Sequence, residues 1–225
     1  MARQQKRAAR RTKAAGSGKR SATSVGGGSH RSQEALEDRA IDAALALAAE
    51  EGWRAISLTS VADRAGLSMA ELYAVLPSKD AILDAFARRI DRVTLSGVKL
   101  DATDAGTVRD RLFDVIMRNF DALEPHRPAV AALVADLPRT PLAALCQGVR
   151  MLRSVAWMAG AAGVDTRGPL GVLRVKAIAA AYLVVLRAWL ADDSADKSRT
   201  MAALDRVLKN LEMLAQTAAF RRRSA

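Results

Sequence analysis

Residues 57–83 read SLTSVADRAGLSMAELYAVLPSKDAIL, and this stretch determines the predicted fold. Ser57 and Ser68 each stand where a hydroxyl can cap a helix that begins one residue later. Gly66 stands between these helices, at a position where the turning chain often needs a positive φ. Glu71 follows Ser68 by three residues and completes the pattern of a capping box. The stretch therefore predicts two helices of about two turns each, joined by a tight turn.

The residues that follow predict a third helix immediately after the pair. Pro77 cannot continue a helix, because it has no N–H and its ring clashes with the preceding turn. Ser78 then caps a new helix, and Asp80 lies in the first turn, where the helix dipole favours a negative charge. Two short helices joined by a turn containing glycine match the helix-turn-helix unit, whose second helix lies in the major groove of DNA.

The motifs ADRAGLS at 62–68, LY at 72–73 and LPSKDAIL at 76–83 resemble the TetR family of bacterial repressors. The resemblance covers roughly residues 34–93. It implies a small N-terminal DNA-binding head and a larger helical body that binds a small apolar or amphipathic ligand and dimerises. Tyr73 and Lys79 are similar to the family's phosphate-contacting residues. The full set that the resemblance implies for DNA contact is Thr59, Ser68, Met69, Ala70, Tyr73, Ala74 and Lys79.

The predicted reading helix departs from the family pattern at several positions. Met69 replaces a polar or basic residue, Glu71 replaces Thr or Ser, and Ala74 and Val75 replace aromatic, His or Arg residues. Met69 and Ala70 can still touch a thymine methyl group. Glu71 either caps its helix or accepts a hydrogen bond from cytosine, and repulsion by phosphates disfavours the second role. Residues that position the protein on phosphates are thus present, and residues that read bases are few.

The basic charge of the chain is concentrated at its N-terminus. The chain has 35 Lys+Arg and 24 Asp+Glu, a net charge of +11, and residues 1–31 hold nine basic residues and no acidic one. Residues 34–80 hold four basic and nine acidic residues, whereas a DNA-binding domain normally has a basic footprint. Residues 1–33 are poor in bulky apolar side chains and are predicted to be a disordered tail.

Such a basic tail is expected to bind a polyanion. Nucleic acid is the first expectation and an acidic membrane surface the second. Two alternatives are a solvated tail without a dedicated partner and an organelle transit peptide.

The remaining pattern predicts an all-α chain of about nine helices, with a head at 34–94, a body at 95–220 and a basic end at 221–225. The helices outside the motif are predicted at 34–51, 79–96, from the Thr107–Asp110 capping box to Pro125, 128–137, 141–160, 169–190 and 196–220. The residues predicted to face inward are Ile82, Leu83, Phe86, Ile90 and Val93 in the fourth helix, Leu112, Val115, Ile116 and Leu123 in the fifth, and Met201, Leu204, Leu208, Leu211 and Leu214 in the last.

Enzyme, metal and membrane functions have little support in the sequence. It has no P-loop, GxSxG or HExxH motif, and His30 and His126 lack the spacing of metal ligands. We therefore expect no catalytic residue, cofactor or metal. The single Cys146 cannot form an internal disulfide and fits a reducing compartment. We expect no secretory signal peptide, and the longest apolar run, 177–186, is too short to span a bilayer. A cytoplasmic protein is expected.

The helix at 169–190 is apolar on nearly all faces and has to be covered on all of them. Either the core of one chain covers it, or the last two helices of two chains form a four-helix bundle. We favour the homodimer, whose two heads would meet half-sites about 34–36 Å apart.

The body has a second, looser resemblance, to the TetR-fold accessory proteins of ubiquinone biosynthesis, which bind lipid and do not read operators. The residues that carry it are Arg109–Arg111, Leu123, Pro125, Trp157-Met158-Ala159-Gly160, Arg174, Tyr182, Trp189, Asp192–Ser194 and Leu204. The candidates for lining a pocket are Phe86, Phe113, Met117, Trp157, Met158 and Tyr182, and ordinary core packing is the alternative for the large aromatic residues.

The sequence as a whole favours a TetR-like transcription regulator that binds operator DNA and responds to a small apolar or lipid-like ligand. The alternative is a lipid-binding accessory protein that no longer reads DNA.

Overall fold

A computed structural model describes the backbone of residues 25–98, 106–139 and 141–223, and the side chains of residues 31–98, 106–138 and 144–216. In these ranges the chain forms nine α-helices, two short 3-10 helices and no strand, which confirms the all-α prediction. The α-helices are α1 (Val25–Glu51), α2 (Leu58–Ala65), α3 (Met69–Val75), α4 (Lys79–Ser96), α5 (Val108–Leu123), α6 (Arg127–Asp136), α7 (Pro141–Ala161), α8 (Gly168–Leu190) and α9 (Ser198–Arg223). The 3-10 helices are Glu124–His126 and Leu137–Arg139.

The caps predicted from the sequence form the joint between α2 and α3. The Ser57 hydroxyl accepts a hydrogen bond from the N–H of Ser60, and the Ser68 hydroxyl accepts one from the N–H of Glu71. Gly66 ends α2 with a φ of +62°, in the left-handed region that favours glycine. The N–H of Leu67 then reaches back to the Ala62 carbonyl at 2.9 Å, so the turn is fixed by the backbone itself.

Helix α1 begins at Val25, nine residues before the predicted start, so the end of the predicted tail is helical. Once its later turns are packed, a helix extends backwards at little cost, because each added residue gains one hydrogen bond. Residues 1–24 lie outside the described residues.

Ion pairs between α1 and α4 engage four acidic side chains of the head. Arg89 contacts Asp42 at 2.7 Å and Asp38 at 3.5 Å. Two further pairs join Arg88 to Glu37 at 3.7 Å and Arg92 to Glu34 at 3.4 Å. Four of the nine acidic residues of 34–80 are therefore paired with arginines of α4.

Helix α4 connects the head to the body and largely confirms the predicted inward face. Ile82, Leu83, Phe86 and Ile90 are buried, but the prediction for Val93 is wrong, since this side chain is 55% exposed. The buried row continues instead at Thr94, whose hydroxyl donates to the Ile90 carbonyl at 2.8 Å. A polar residue with a satisfied hydroxyl thus fills a position that an apolar pattern does not reveal.

Helices α5 to α9 form the body around Phe120, Val155, Val185 and Trp189, which are fully buried. The predicted row on α5 is confirmed, because Leu112, Val115, Ile116 and Leu123 are all buried. On α9 the prediction is partly wrong. Leu204 and Leu208 are buried and Leu211 is partly buried, but Met201 and Leu214 are 36% and 67% exposed.

Helix α8 is covered on one side only by its own chain. Val175, Ile178, Val185 and Trp189 are buried, while the large apolar side chains of the other side are 40–62% exposed, namely Leu170, Val172, Leu173, Leu183 and Val184. Among the described helices, α8 alone is long and apolar enough to cross a membrane, with a mean hydropathy of 1.8 over its most apolar 18 residues. Of these 18 residues, 39% are buried inside the protein. Core helices of soluble proteins satisfy the same criterion.

The turn at Gly66 yields a stability prediction. We expect Gly66→Ala to lower the free energy of unfolding by about 1–2 kcal/mol, because an alanine is strained at a positive φ and its Cβ would lie 3.2 Å from Arg39 Nη2. Gly148→Ala is the matched control, since a Cβ within α7 meets no atom within 4 Å. It should be neutral or raise the free energy by about 0.5–1 kcal/mol. Urea unfolding measures both, and equal effects of the two substitutions would contradict this account of the turn.

Candidate nucleic-acid interface and ligand cavity

The outer face of α3 exposes most of the residues predicted to contact DNA. Tyr73 is 71% exposed and Met69 48% exposed, and they lie one helical turn apart. Thr59, Ser68, Ala70 and Ala74 are exposed as well. The opposite face is fixed by Leu72, which is buried, and by Leu76 just beyond the end of the helix. Helix α3 is thus held by one face and open to a partner along the other.

Glu71 fills the capping role within this interface. Its Oε2 accepts a hydrogen bond from the Ser68 N–H at 2.8 Å and another from the Ser68 hydroxyl at 2.7 Å. These hydrogen bonds hold the pKa of Glu71 below its ordinary value. The carboxylate is therefore charged at neutral pH and is used to order the first turn of α3.

Lys79 has a structural role that its place in the sequence motif does not reveal. Its ammonium donates to the Trp53 carbonyl at 2.6 Å and the Ile56 carbonyl at 2.9 Å, and lies 5.1 Å from the centroid of the Trp53 ring. Burial lowers the pKa of this ammonium. Lys79 ties the start of α4 to the loop before α2, and a phosphate contact would have to use its third N–H.

Other cations of the head are also engaged within the fold. Arg39 donates from α1 to the carbonyls of Ala65 and Gly66, at the turn before α3. Arg64 forms a bidentate pair with Glu50 at 2.7 and 3.0 Å. The positive charge of residues 34–80 thus serves mainly to hold the helices together, which leaves residues 1–31 as the main concentration of basic charge in the sequence.

A cavity of about 180 Å³ lies between α4, α5, α6, α7 and α8. Three of the predicted pocket residues line it, Phe86, Met158 and Tyr182. The other three do not. Trp157 is 63% exposed because Val155 and Met158 occupy the inward positions of α7, and Phe113 and Met117 pack against the core elsewhere. The remaining apolar lining includes Leu83, Ile90, Val130, Leu133, Val134, Met151 and Leu186.

One wall of the cavity carries a chain of buried hydrogen bonds. The Tyr182 hydroxyl donates to Asn119 Oδ1 at 2.7 Å, and Asn119 Nδ2 donates to the Thr94 hydroxyl at 3.1 Å. Burial raises the pKa of Tyr182, so the phenol stays protonated. Tyr182 also stacks on Phe120 with ring centroids 5.2 Å apart. This wall is therefore rigid, and its buried polar groups have partners.

Two charged residues line the cavity, and sequence reasoning identified neither of them. Arg150 is 8% exposed and donates from α7 to Asp84 and Asp80 of α4, each at 2.8 Å. Asp91 is partly buried, and its Oδ2 accepts a hydrogen bond from the Ser154 hydroxyl at 2.8 Å. Burial raises the pKa of Asp91. No spacing in the sequence indicates these contacts, because they join residues more than 60 positions apart.

The part of the chain that the structure describes contains no cluster of three or more His, Cys, Asp or Glu side chains able to hold a metal ion. Cys146 is a partly buried thiol on α7.

Comparison with known proteins places the helix-turn-helix segment in a family. Residues 40–86 match the model of the N-terminal domain of bacterial regulatory proteins of the tetR family. Over 70 residues the chain is 37% identical to the HTH-type transcriptional repressor KstR of Rhodococcus jostii strain RHA1. That match covers 31% of this chain and 33% of the relative, so the chain spans about a third of the length of the curated relative that it matches.

Solved structures extend the likeness to the body at the level of the fold. A TetR transcriptional regulator from Nitrosomonas europaea ATCC 19718 has a TM-score of 0.62 at 24% identity, over 77% of this chain and 96% of its own. Another from Rhodococcus sp. RHA1 has a TM-score of 0.55 at 22% identity, over 80% of this chain and 99% of its own. The helix-turn-helix segment therefore matches the TetR family of bacterial regulatory proteins, and the body shares the fold of these solved structures.

Proposed function

We propose that the protein is a transcription regulator that binds operator DNA with α3 in the major groove. The observation that carries the proposal is the capped α2-turn-α3 unit, with one face of α3 buried and the other exposed. A helix held in this way presents its first residues to base edges. Thr59, Ser68, Tyr73 and Lys79 would contact phosphates or positions near them, and Met69, Ala70 and Ala74 would face bases, where apolar side chains suit thymine methyl groups.

Residues 1–31 would supply most of the electrostatic attraction to DNA. Residues 1–24 alone contain eight basic residues and no acidic one, whereas Arg39, Arg64 and Lys79 of the head are engaged in ion pairs and hydrogen bonds. Contacts of this kind depend on salt and add affinity without sequence preference. The tail would then set how tightly the protein binds DNA, and α3 would set where.

The cavity supports control by a small apolar ligand. Helix α4 lines it with Leu83, Phe86 and Ile90, and the same helix begins directly after the helix-turn-helix unit. Arg150 lines the cavity as well and is bonded to Asp80 in the first turn of α4. A ligand that separates α4 from α7 would therefore alter the orientation of the head and favour the state that does not bind DNA.

The exposed apolar side of α8 supports a homodimer through α8 and α9. Five large apolar side chains are exposed on this helix, with Met201, Met213 and Leu214 exposed on α9. A second copy would bury both sets in a four-helix bundle and place two heads on a two-fold axis. We place this DNA-binding dimer in the cytoplasm, with a head at 34–94 and a body at 95–220.

Deleting residues 1–24 is expected to weaken binding to the protein's own promoter and to scrambled DNA by a similar factor. The slope of log K against log salt should also become shallower, by about 0.9 for each phosphate that the shortened chain no longer neutralises. Fluorescence anisotropy at several salt concentrations measures both effects. Preference for the promoter should survive the deletion, and a preference that disappears with the tail would refute reading by α3.

Ala74→Glu is expected to abolish promoter binding, because it places a carboxylate on the exposed face of α3, against DNA phosphates. Ala131→Glu is the matched control, since Ala131 is an exposed alanine on α6 of the body. Unchanged binding by the Ala74→Glu variant would place the DNA contact elsewhere.

Lys79→Met is expected to lower the free energy of unfolding by about 1–3 kcal/mol, since two carbonyls lose their donor. Tyr73→Ala, at a highly exposed position, should change it by less than about 0.5 kcal/mol. Urea unfolding measures the free energy of unfolding of both variants. If both substitutions leave stability unchanged, the structural role of Lys79 is refuted.

The full chain is expected to sediment as a dimer at micromolar concentration, and Val184→Asp or Leu173→Asp to yield monomers, because each buries a charge in the proposed interface. Met69→Asp is the matched control, since Met69 and Val184 are 48% and 50% exposed. Sedimentation velocity distinguishes the species, and a monomeric unmodified chain would end the dimer model.

A further inference from the structure

Asp91 places a carboxylate in the wall of a cavity that is otherwise mainly apolar. Asp91 lies in the second half of α4 and lines the cavity. Its Oδ2 accepts a hydrogen bond from the Ser154 hydroxyl at 2.8 Å. None of the ion pairs among the described residues includes it. A partly buried carboxylate held by one hydroxyl has more acceptor capacity than its neighbours use.

The other charge in the cavity wall is already balanced. Arg150 contacts Asp80 and Asp84, each at 2.8 Å, and Arg153 contacts Asp84 at 3.0 Å, so two guanidinium groups meet two carboxylates. Arg153 also attracts Asp91 at longer range. The three carboxylates Asp80, Asp84 and Asp91 still exceed the two guanidinium groups by one charge, so an anion that enters the cavity would meet a net negative wall. Burial destabilises the charged form of Asp91 and thereby raises its pKa. A cation bound beside Asp91 would offset this cost.

The neighbourhood of Asp91 offers acceptors in addition to its own oxygens. The Tyr182 hydroxyl gives its proton to Asn119, and the Ser154 hydroxyl gives its proton to Asp91, so the lone pairs of both oxygens are available. Asp91, Ser154 and Tyr182 all line this cavity. An ammonium group has three N–H donors and no acceptor, and it matches a set of acceptors of this kind.

The volume limits the size of the molecule. A cavity of about 150 Å³ holds a benzene molecule, so the roughly 180 Å³ here accommodates one aromatic ring with a short chain. We propose that this cavity binds a small apolar amine, with its ammonium on Asp91 and its hydrocarbon part against Phe86, Met151 and Met158. The inference rests on the proposed control by a ligand and gives that ligand a chemical class.

Isothermal titration of the full chain with three probes of similar size tests the proposal. The probes are 2-phenylethylamine, 2-phenylethanol and 3-phenylpropanoate, which are cationic, neutral and anionic at pH 7. The amine should bind about ten-fold or more tightly than the alcohol, and the acid most weakly. Asp91→Asn should remove the preference for the amine and leave the alcohol unaffected. Asp114→Asn, at an exposed carboxylate on α5, is the matched control and should change neither.

Each other outcome has a distinct meaning. Equal binding of amine and alcohol, tighter binding of the acid, or an amine preference that survives Asp91→Asn would overturn the proposal. Binding of none of the probes would overturn it together with the ligand cavity. A promoter-binding assay with saturating amine separates the two ideas. If the amine binds through Asp91 and DNA affinity does not change, the amine site stands and the proposed control of DNA binding fails.

Discussion

Helix α4 belongs to two packed units at once, and the geometry of the rest of the molecule depends on this constraint. Its first residue, Lys79, is bonded to carbonyls of the head, while Asp80 and Asp84 are bonded to Arg150 of the body. Further along, Ile82 and Phe86 are buried in the core that both units share. Because packed interiors do not deform continuously, a displacement of α4 at the cavity has to be accommodated at the head as well.

The distribution of charged residues along the chain does not follow its division into a head and a body. In the head, acidic side chains of α1 face arginines of α4, and Arg39 and Arg64 hold the turn and the end of α2. These pairs are mostly exposed, so each contributes little to stability, typically below about 1 kcal/mol. Their larger effect is on function, since cations used in this way are less available to phosphates. The chain thus combines a strongly basic N-terminal segment with a net acidic head.

The local parts of the fold could be predicted from the sequence, and the long-range parts could not. Ser57, Gly66 and Ser68 act through hydrogen bonds within a few residues, so their pattern is visible in the chain and was confirmed. Lys79 and Arg150 act on groups more than 20 and 60 residues away, where no spacing rule applies. The pocket prediction failed at Trp157 for a related reason, because an aromatic residue on a largely apolar helix gives no sign of which side faces the core.

The charges of α8 distinguish between the two environments that could cover its apolar side. Arg174 and Lys176 lie seven and nine residues into a helix of 23, and both are exposed. In a bilayer each charge would lie within the hydrocarbon region at a cost of about 2.5–3.5 kcal/mol. Crossing a bilayer would also separate Tyr182 from Asn119 and expose Trp189, which is now fully buried. At a protein interface the same cations can occupy the polar rim, while Leu173, Leu183 and Val184 occupy its centre. The chemistry of α8 therefore favours a second copy of the chain over a membrane.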